Sequence, residues 1–162
     1  IALAEACQGT PAVKEDLAES FAWWEKAAKT GHPVAQYNFG KCFEKGKGVE
    51  VDCKQAFDWY LKAAEQGIVE AMNDIGIYFG EGIVVDKDEE EAFRGFKKAS
   101  ENESYAGALY NLASCYETGF GTEVNLAEAE RLEKLADKLL AEDDNQDWCT
   151  VGEAEDLEEN YN

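Results

Sequence analysis

The chain repeats itself with a period of about 36 residues, and this repeat limits the possible folds more than any other feature. The segment AQYNFGKCF at 35–43 returns as AMNDIGIYF at 71–79 and again as ALYNLASCY at 108–116. Each copy places a small residue, an apolar residue, a glycine or alanine and an aromatic residue on one helical face. The pattern predicts one amphipathic helix in every unit.

A second segment repeats in register with the first. It reads FAWWEKAA at 21–28, FDWYLKAA at 57–64 and FRGFKKAS at 93–100, and its aromatic and alanine positions again share one helical face. An Asp or Asn precedes each copy, with Glu or Gln three residues later, which is typical of a capping box at a helix start. The four predicted caps are Asp16, Asp52, Asp88 and Asn125, paired with Glu19, Gln55, Glu91 and Glu128.

Glycines separate the predicted helices, because the left-handed backbone that ends a helix suits a residue without a Cβ. The turn glycines are Gly46, Gly48, Gly80, Gly82, Gly119 and Gly121, with Gly31 and Gly67 between units. A single helix pair does not bury its apolar faces, so successive pairs must stack. We therefore predict an all-α fold, a right-handed α/α solenoid of antiparallel helix pairs with about 36 residues per repeat.

One unit carries its pattern almost without interruption. Its signature residues are Ala35 to Gly40, Phe43, Gly46 to Val49, Asp52, Ala56, Trp59, Tyr60, Lys62 to Ala64 and Gly67. This set resembles the Sel-one-like repeat family, relatives of the tetratricopeptide repeats. The resemblance covers about residues 1–140 and implies a truncated first repeat followed by three full repeats. Val84 departs from it at the second turn glycine, and Gly95 departs from it at the position of Trp59.

The two ends of the chain differ from the repeats between them. Residues 1–9 align with the end of a first helix, so we expect that helix to be cut off and further repeats to precede it. Glu130 and Glu133 replace core aromatics in the last copy, which is typical of a capping unit. Residues 141–162 hold nine acidic residues and no basic one, which indicates a solvated acidic tail. Alternatively, this tail docks through Trp148 and contains a short helix.

Charge and chemistry narrow the function. The formal charge is -20, which repels nucleic acid and anionic membranes and attracts basic partners. The single histidine, His32, and five cysteines without a CxxC pair favour reduced thiols and predict no metal site, cofactor or catalytic residue. We expect a monomer that binds neither nucleic acid nor membrane. The compartment stays open between the cytoplasm, which is favoured, and a secreted or periplasmic location.

The resemblance to tetratricopeptide repeats implies that the first helices line a concave groove. Groove positions would then recur about every four residues along each first helix. The nine candidate partner-binding residues are Tyr37, Lys41 and Glu44, then Asn73, Ile77 and Glu81, then Tyr110, Ser114 and Glu117. Tyrosine and asparagine suit peptide capture, because they offer flat apolar surface and amide hydrogen bonds at modest entropic cost.

The leading functional hypothesis is a non-catalytic scaffold or adaptor that binds a basic or neutral protein or peptide segment on the concave face. Relatives of this kind act as scaffolds in signalling, protein quality control and bacterial interaction with hosts. One alternative is an acidic inhibitor that mimics nucleic acid, and another is a hydrolase. The tryptophans Trp23, Trp24 and Trp59 are expected in the core rather than in a site.

Overall fold

The computed structural model describes the backbone of residues 11–146 and the side chains of residues 16–142. Within that part of the chain there are seven helices and no strand. The helices are α1 (Pro11–Lys29), α2 (Pro33–Lys45), α3 (Cys53–Glu65), α4 (Val69–Glu81), α5 (Glu89–Ser100), α6 (Ala106–Thr118) and α7 (Leu126–Gln146).

The helices pair as the repeat predicts. The first helices α2, α4 and α6 begin at Pro33, Val69 and Ala106, so they follow one another at offsets of 36 and 37 residues. Each first helix packs most extensively on the second helix of its own unit and less extensively on the second helix of the unit before it. This regular stacking confirms the predicted right-handed α/α solenoid.

Three of the four predicted caps start a helix. Asp52, Asp88 and Asn125 accept hydrogen bonds from first-turn amides at 2.9–3.1 Å. Their own amides donate to the last turn of the preceding first helix, so the reciprocal half of the capping box is not needed. The prediction for Asp16 was wrong, because α1 begins earlier, at Pro11, and proline suits the first helical position. His32 is the unexpected cap, since its Nδ1 accepts from the Ala35 amide.

The turn inside each unit depends on left-handed backbone. Gly46, Gly82 and Gly119 end the first helices with φ between 66° and 76°. Val84, which replaces the second turn glycine, also has a φ of 68°, a strained conformation for a β-branched residue. The placement of Gly80 in a turn was wrong, because this residue lies inside α4.

The core depends on close approach between the two helices of a unit. A Cβ at Gly40 would lie 2.8 Å from the Tyr60 ring, and a Cβ at Gly76 would lie 2.8 Å from the Phe96 ring. Each glycine therefore lets an aromatic ring lie directly on the backbone of the first helix. In the last unit this first-helix position holds the buried Ala113.

The expectation that all three tryptophans are core residues was wrong for two of them. Trp59 is half-buried and packs on Phe39, but Trp23 is 64% exposed and Trp24 is 37% exposed. The equivalent ring in the next unit, Tyr60, is covered by a first helix of its own unit.

Some predictions concern residues outside the described part of the chain. These are the alignment of residues 1–9, the docking of Trp148 and a short helix near the C-terminus. Helix α7 continues to Gln146, so the predicted tail boundary at residue 140 falls inside this helix. Among the described cysteines, Cys42 and Cys115 are buried, Cys53 is half-buried, and all three are free thiols.

Candidate functional site

The first helices α2, α4 and α6 form one face of the stack, which we call the inner face. Side-chain hydrogen bonds join α2 to α4 and α4 to α6, and α4 also packs directly on α6. The second helices lie behind them and contact mainly the first helices. Direct contact between the first helices brings their side chains into two common clusters, which contain some of the predicted site residues.

The first cluster joins α2 to α4 around Asp74. The Tyr37 hydroxyl donates to Asp74 Oδ2 at 3.0 Å, and Lys41 Nζ lies 3.4 Å from the same hydroxyl. The Lys41 ammonium also lies 5.2 Å from the centre of the Tyr37 ring, within range of a cation–π interaction. Two predicted residues, Tyr37 and Lys41, are therefore brought together, and Tyr37 in turn binds a carboxylate on the next unit.

Burial dominates the electrostatics of this cluster. It raises the pKa of Asp74, while the hydrogen bond from Tyr37 and the charge of Lys41 act in the opposite direction. Burial, followed by the charge of Asp74, also raises the pKa of the Tyr37 phenol. The phenol consequently stays protonated and acts as the donor to Asp74 across the physiological range.

A buried hydroxyl lies beneath this cluster. Tyr60 is fully buried, and the centres of the Tyr60 and Tyr37 rings lie 5.5 Å apart. The Tyr60 hydroxyl has no hydrogen-bond partner among the described residues. Burial, followed by the charge of Glu44, raises the pKa of this phenol. Glu44, a predicted site residue, is half-buried and pairs with Lys45 at 3.4 Å.

The second cluster is a cleft of about 330 Å³ between α4 and α6. It contains three predicted site residues, Ile77, Glu81 and Ser114. Asn111, Phe96 and Phe120 are also among its walls, so apolar surface lies beside amide, hydroxyl and carboxylate groups. This mixture of apolar walls and a few polar groups is typical of a site that takes up a side chain or a short segment of a ligand.

The remaining predicted residues are used differently. Asn73 is only 3% exposed and accepts a hydrogen bond from Asn111 Nδ2 at 2.8 Å, which ties α4 to α6. Tyr110 is exposed at its ring, and its hydroxyl donates to Asp137 on α7. Glu117 is exposed on α6 and does not line the cleft. The structure therefore divides the nine candidates between two clusters and several separate positions.

Sequence reasoning missed three important residues. Asp74 and Asn111 each lie one residue after a predicted groove position. Asp74 accepts a hydrogen bond from the preceding unit, and Asn111 donates one to it. A repeat alignment that considered contacts between consecutive first helices would have found them. Phe120 lies between two turn glycines, and an aromatic residue at such a position is the sequence signal that could have identified it.

The thiol beside the cleft is not activated as a nucleophile. Burial raises the pKa of the Cys115 thiol to about 11, so the thiol beside the cleft is protonated at neutral pH and weakly nucleophilic. No group of three or more His, Cys, Asp or Glu side chains within the described residues is placed to hold a metal ion. None of the seven helices is long and apolar enough to cross a membrane.

Comparisons with known proteins agree with this architecture. The Sel1 repeat family model matches residues 2–32, 33–68, 69–104 and 106–136. A Sel1 repeat protein from Oxalobacter formigenes is 30% identical with a TM-score of 0.70, and the match covers 75% of this chain and 49% of that protein. A protective antigen of uropathogenic Escherichia coli strains, described as displaying an SLR fold, is 29% identical with a TM-score of 0.71.

That second match covers 75% of this chain and 26% of the antigen, so the chain spans about half of one relative and about a quarter of the other. No protein of curated function matches the chain. The four family matches follow one another along most of the sequence, and three of them begin at or next to a first helix of the solenoid. Both the repeat and the stacking of its helix pairs therefore show that the chain belongs to the Sel1 repeat family.

Proposed function

We propose that this chain is a non-catalytic scaffold that holds a peptide, or a segment of another protein, along the inner face. Sel1 repeat proteins generally act as protein–protein interaction scaffolds. The observation that carries the proposal for this chain is the cleft between α4 and α6, where Ile77 and Phe120 provide apolar surface beside Glu81 and Ser114. An apolar side chain of the partner enters this cleft.

Charge favours a basic or neutral partner segment. Glu81 borders the cleft, Glu117 is exposed on the same helix as Ser114, and the whole chain carries a formal charge of -20. Such a field speeds the encounter with basic segments and disfavours acidic ones. Specificity then depends on the apolar side chain that fills the cleft, since exposed charge pairs contribute little affinity by themselves.

The nine candidates divide into two roles under this proposal. Ile77, Glu81, Ser114 and Glu117 contact the partner. Of the other five, Tyr37, Lys41 and Asn73 belong to the contacts that join consecutive first helices. Tyr110 ties α6 to α7, and Glu44 pairs with Lys45 within α2. The two tyrosines also offer their ring faces. This division follows from the hydrogen bonds that already occupy the polar atoms of Tyr37, Asn73 and Tyr110.

The test begins with selection of peptides from a displayed random library against the full chain. The affinity of each selected peptide is then measured by isothermal titration calorimetry for the parent and for Glu81→Lys and Ser114→Arg. Both residues are exposed, so the variants should fold. We expect Ser114→Arg to weaken binding by about tenfold or more, because the longer side chain occupies the cleft.

Glu101→Lys is the matched control, because Glu101 is exposed at the end of α5 and the substitution changes the net charge by the same amount as Glu81→Lys. Of these two charge reversals, only Glu81→Lys should weaken binding substantially, because Glu81 borders the cleft. Equal losses in both variants would show that ligands follow the overall charge, as expected of an acidic mimic. Selected peptides that bind Ser114→Arg at full strength would place the site away from the cleft.

A further inference from the structure

The second helices form the other face of the stack, which we call the outer face. It carries an aromatic–lysine pair that is complete in α3 and incomplete in α5. In α3 the ammonium of Lys62 lies 3.8 Å from the centre of the Trp59 ring. In α5 the equivalent positions, 36 residues later, hold Gly95 and Lys98. The lysine is therefore retained, while the ring that it would cover is missing.

Trp59 shows what that ring does in the complete unit. Its indole packs edge-on against Phe39, with ring centres 5.0 Å apart and planes at 70°. It belongs to the same apolar cluster as the buried Ala28 of α1. The indole thus fills the space between two consecutive second helices, above the first helix that lies between them.

The corresponding space in the next unit is an open pocket of about 260 Å³. It lies between α3 and α5, above α4. Its walls include the counterparts of the groups around Trp59: Ile75 for Phe39, Ala64 for Ala28, and Lys98 for Lys62. Leu61, which is 38% exposed, and Met72 add further apolar surface. We call this space the outer pocket.

The chain does not fill the outer pocket from position 95. A Cβ there would lie 3.0 Å from Gly76 Cα and 3.3 Å from the Met72 carbonyl oxygen, because α5 lies close against α4. These neighbours are backbone atoms, which yield less than the end of a flexible side chain. Any ring that fills the pocket must therefore come from another part of the chain or from another molecule.

We propose that the outer pocket receives the indole of a tryptophan from a partner protein. The volume is below the range of whole-ligand sites, so it suits a single side chain. The apolar floor matches a ring. Lys98, which makes no ion pair with the described residues, lines the pocket at the repeat position of Lys62, the residue that covers Trp59. Arg94 on the rim is already engaged by Glu91 at 2.7 Å, so Lys98 provides the cation–π contact.

This surface is distinct from the inner face. The inner face is made by the first helices, whereas the outer pocket opens between two second helices. A partner anchored here by one tryptophan would leave the cleft between α4 and α6 free. Binding at the outer pocket is therefore independent of binding at the inner face.

Met72 provides a direct reporter, because it is the only methionine in the chain and lines the pocket. The full chain carrying a ¹³C-labelled methionine methyl group is titrated with N-acetyl-L-tryptophanamide and followed by NMR. We expect a saturable shift of the single methyl resonance toward lower frequency, caused by the ring current of the bound indole. N-acetyl-L-leucinamide, which has no ring, should leave the resonance unmoved.

Two variants and a control locate the binding. Leu61→Glu puts a charge into the apolar lining of the pocket and should abolish the saturable shift. The equivalent residue of α1 is Glu25, so the fold already accepts glutamate at this repeat position. Lys98→Gln should raise the dissociation constant by about two- to fivefold, as expected for loss of an exposed cation–π contact. Leu140→Glu on α7 is the control, since Leu140 is also exposed but lies away from the pocket, and it should change nothing.

Three results would overturn the proposal. The first is a methyl resonance that stays unmoved by the tryptophan probe while the spectrum remains that of a folded protein. The second is an equal shift with the leucine probe, which would show that the pocket does not select a ring. The third is a methyl shift caused by Trp148→Ala without any probe, because the chain's own C-terminal indole would then occupy the pocket.

Discussion

The buried hydroxyl of Tyr60 leads to an unusual prediction: removing a polar atom from the core should stabilise the protein. Tyr60 is fully buried, and its hydroxyl has no hydrogen-bond partner among the described residues. The next unit has Phe96 at the same repeat position, also buried and also packed on a first-helix glycine. Tyr60→Phe therefore introduces the residue type that the next unit already has at this repeat position.

The size of the effect follows from two opposing terms. An unsatisfied buried hydroxyl costs about 1–3 kcal/mol relative to its hydrated state. Removing its oxygen leaves a small void, which costs about 0.3–0.5 kcal/mol at roughly 24 cal/mol per Å³. The balance is a gain of about 1 kcal/mol in the free energy of unfolding. For a chain of this length the midpoint temperature should rise by about 2–4 °C.

The assay is thermal unfolding followed by circular dichroism, with Tyr37→Phe as the matched control. The Tyr37 hydroxyl donates to Asp74 at 3.0 Å, so its removal deprives a half-buried carboxylate of a donor. This loss should cost about 1.5–3 kcal/mol. The same chemical change is thus expected to raise the midpoint at one tyrosine and to lower it at the other, whose ring centre lies 5.5 Å away.

The reasoning fails if Tyr60→Phe destabilises the protein as much as Tyr37→Phe does. That result would mean that the Tyr60 hydroxyl has an acceptor in solution. Glu44 and Asp74 are the two nearby carboxylates whose charges act most strongly on this phenol. Repeating the measurement in a Glu44→Ala background would then identify the acceptor, since the penalty should shrink if Glu44 supplies it.

Three further predictions concern single positions. Gly76→Ala should lower the free energy of unfolding by about 1–2 kcal/mol, because the new Cβ overlaps an aromatic ring and a backbone carbonyl, and urea unfolding measures the loss. Burial raises the pKa of Asp74, so its ionised form penalises folding above that pKa and the penalty disappears as the pH falls through it. Asp74→Asn, which keeps an acceptor for Tyr37, should therefore raise the midpoint temperature at pH 7 and raise it less near the carboxyl's ordinary pKa of 3.8. Asp88→Ala should cost about 1 kcal/mol through loss of a helix cap, whereas Asp16→Ala, inside α1, should cost much less; equal losses would contradict the assigned start of α1.

The fold was predictable because its determinants recur. A cap such as Asp52 or a turn glycine such as Gly46 is weak evidence by itself, but the same residue type at the same offset in several units is strong evidence. The error at Asp16 shows the limit of this reasoning. The motif is present there, but a proline further upstream starts the helix first, and the local signal at Asp16 is overridden.

The site was less predictable because its geometry depends on contacts between units. The repeat register placed Ile77 and Ser114 on first helices, but it did not show that they share one cleft. It also did not show that Asn73 is buried by a hydrogen bond from Asn111. Sequence spacing gives the face of a helix on which a residue lies, whereas the identity of the neighbour across the next helix depends on how closely the units approach.

The positions where the repeat is broken are therefore the most informative about function. A position that holds the same residue type in every unit serves the stacking that all units share, as the alanines do at Ala27, Ala63, Ala99 and Ala136. A position that changes is free of that requirement, and its residue reflects something particular to one unit. Gly95 is such a position, because it gives up a packed indole and leaves an open pocket whose lysine is retained. Replacing a stabilising aromatic residue with glycine costs buried apolar area, and we infer that an aromatic ring from outside restores that area when a partner is bound.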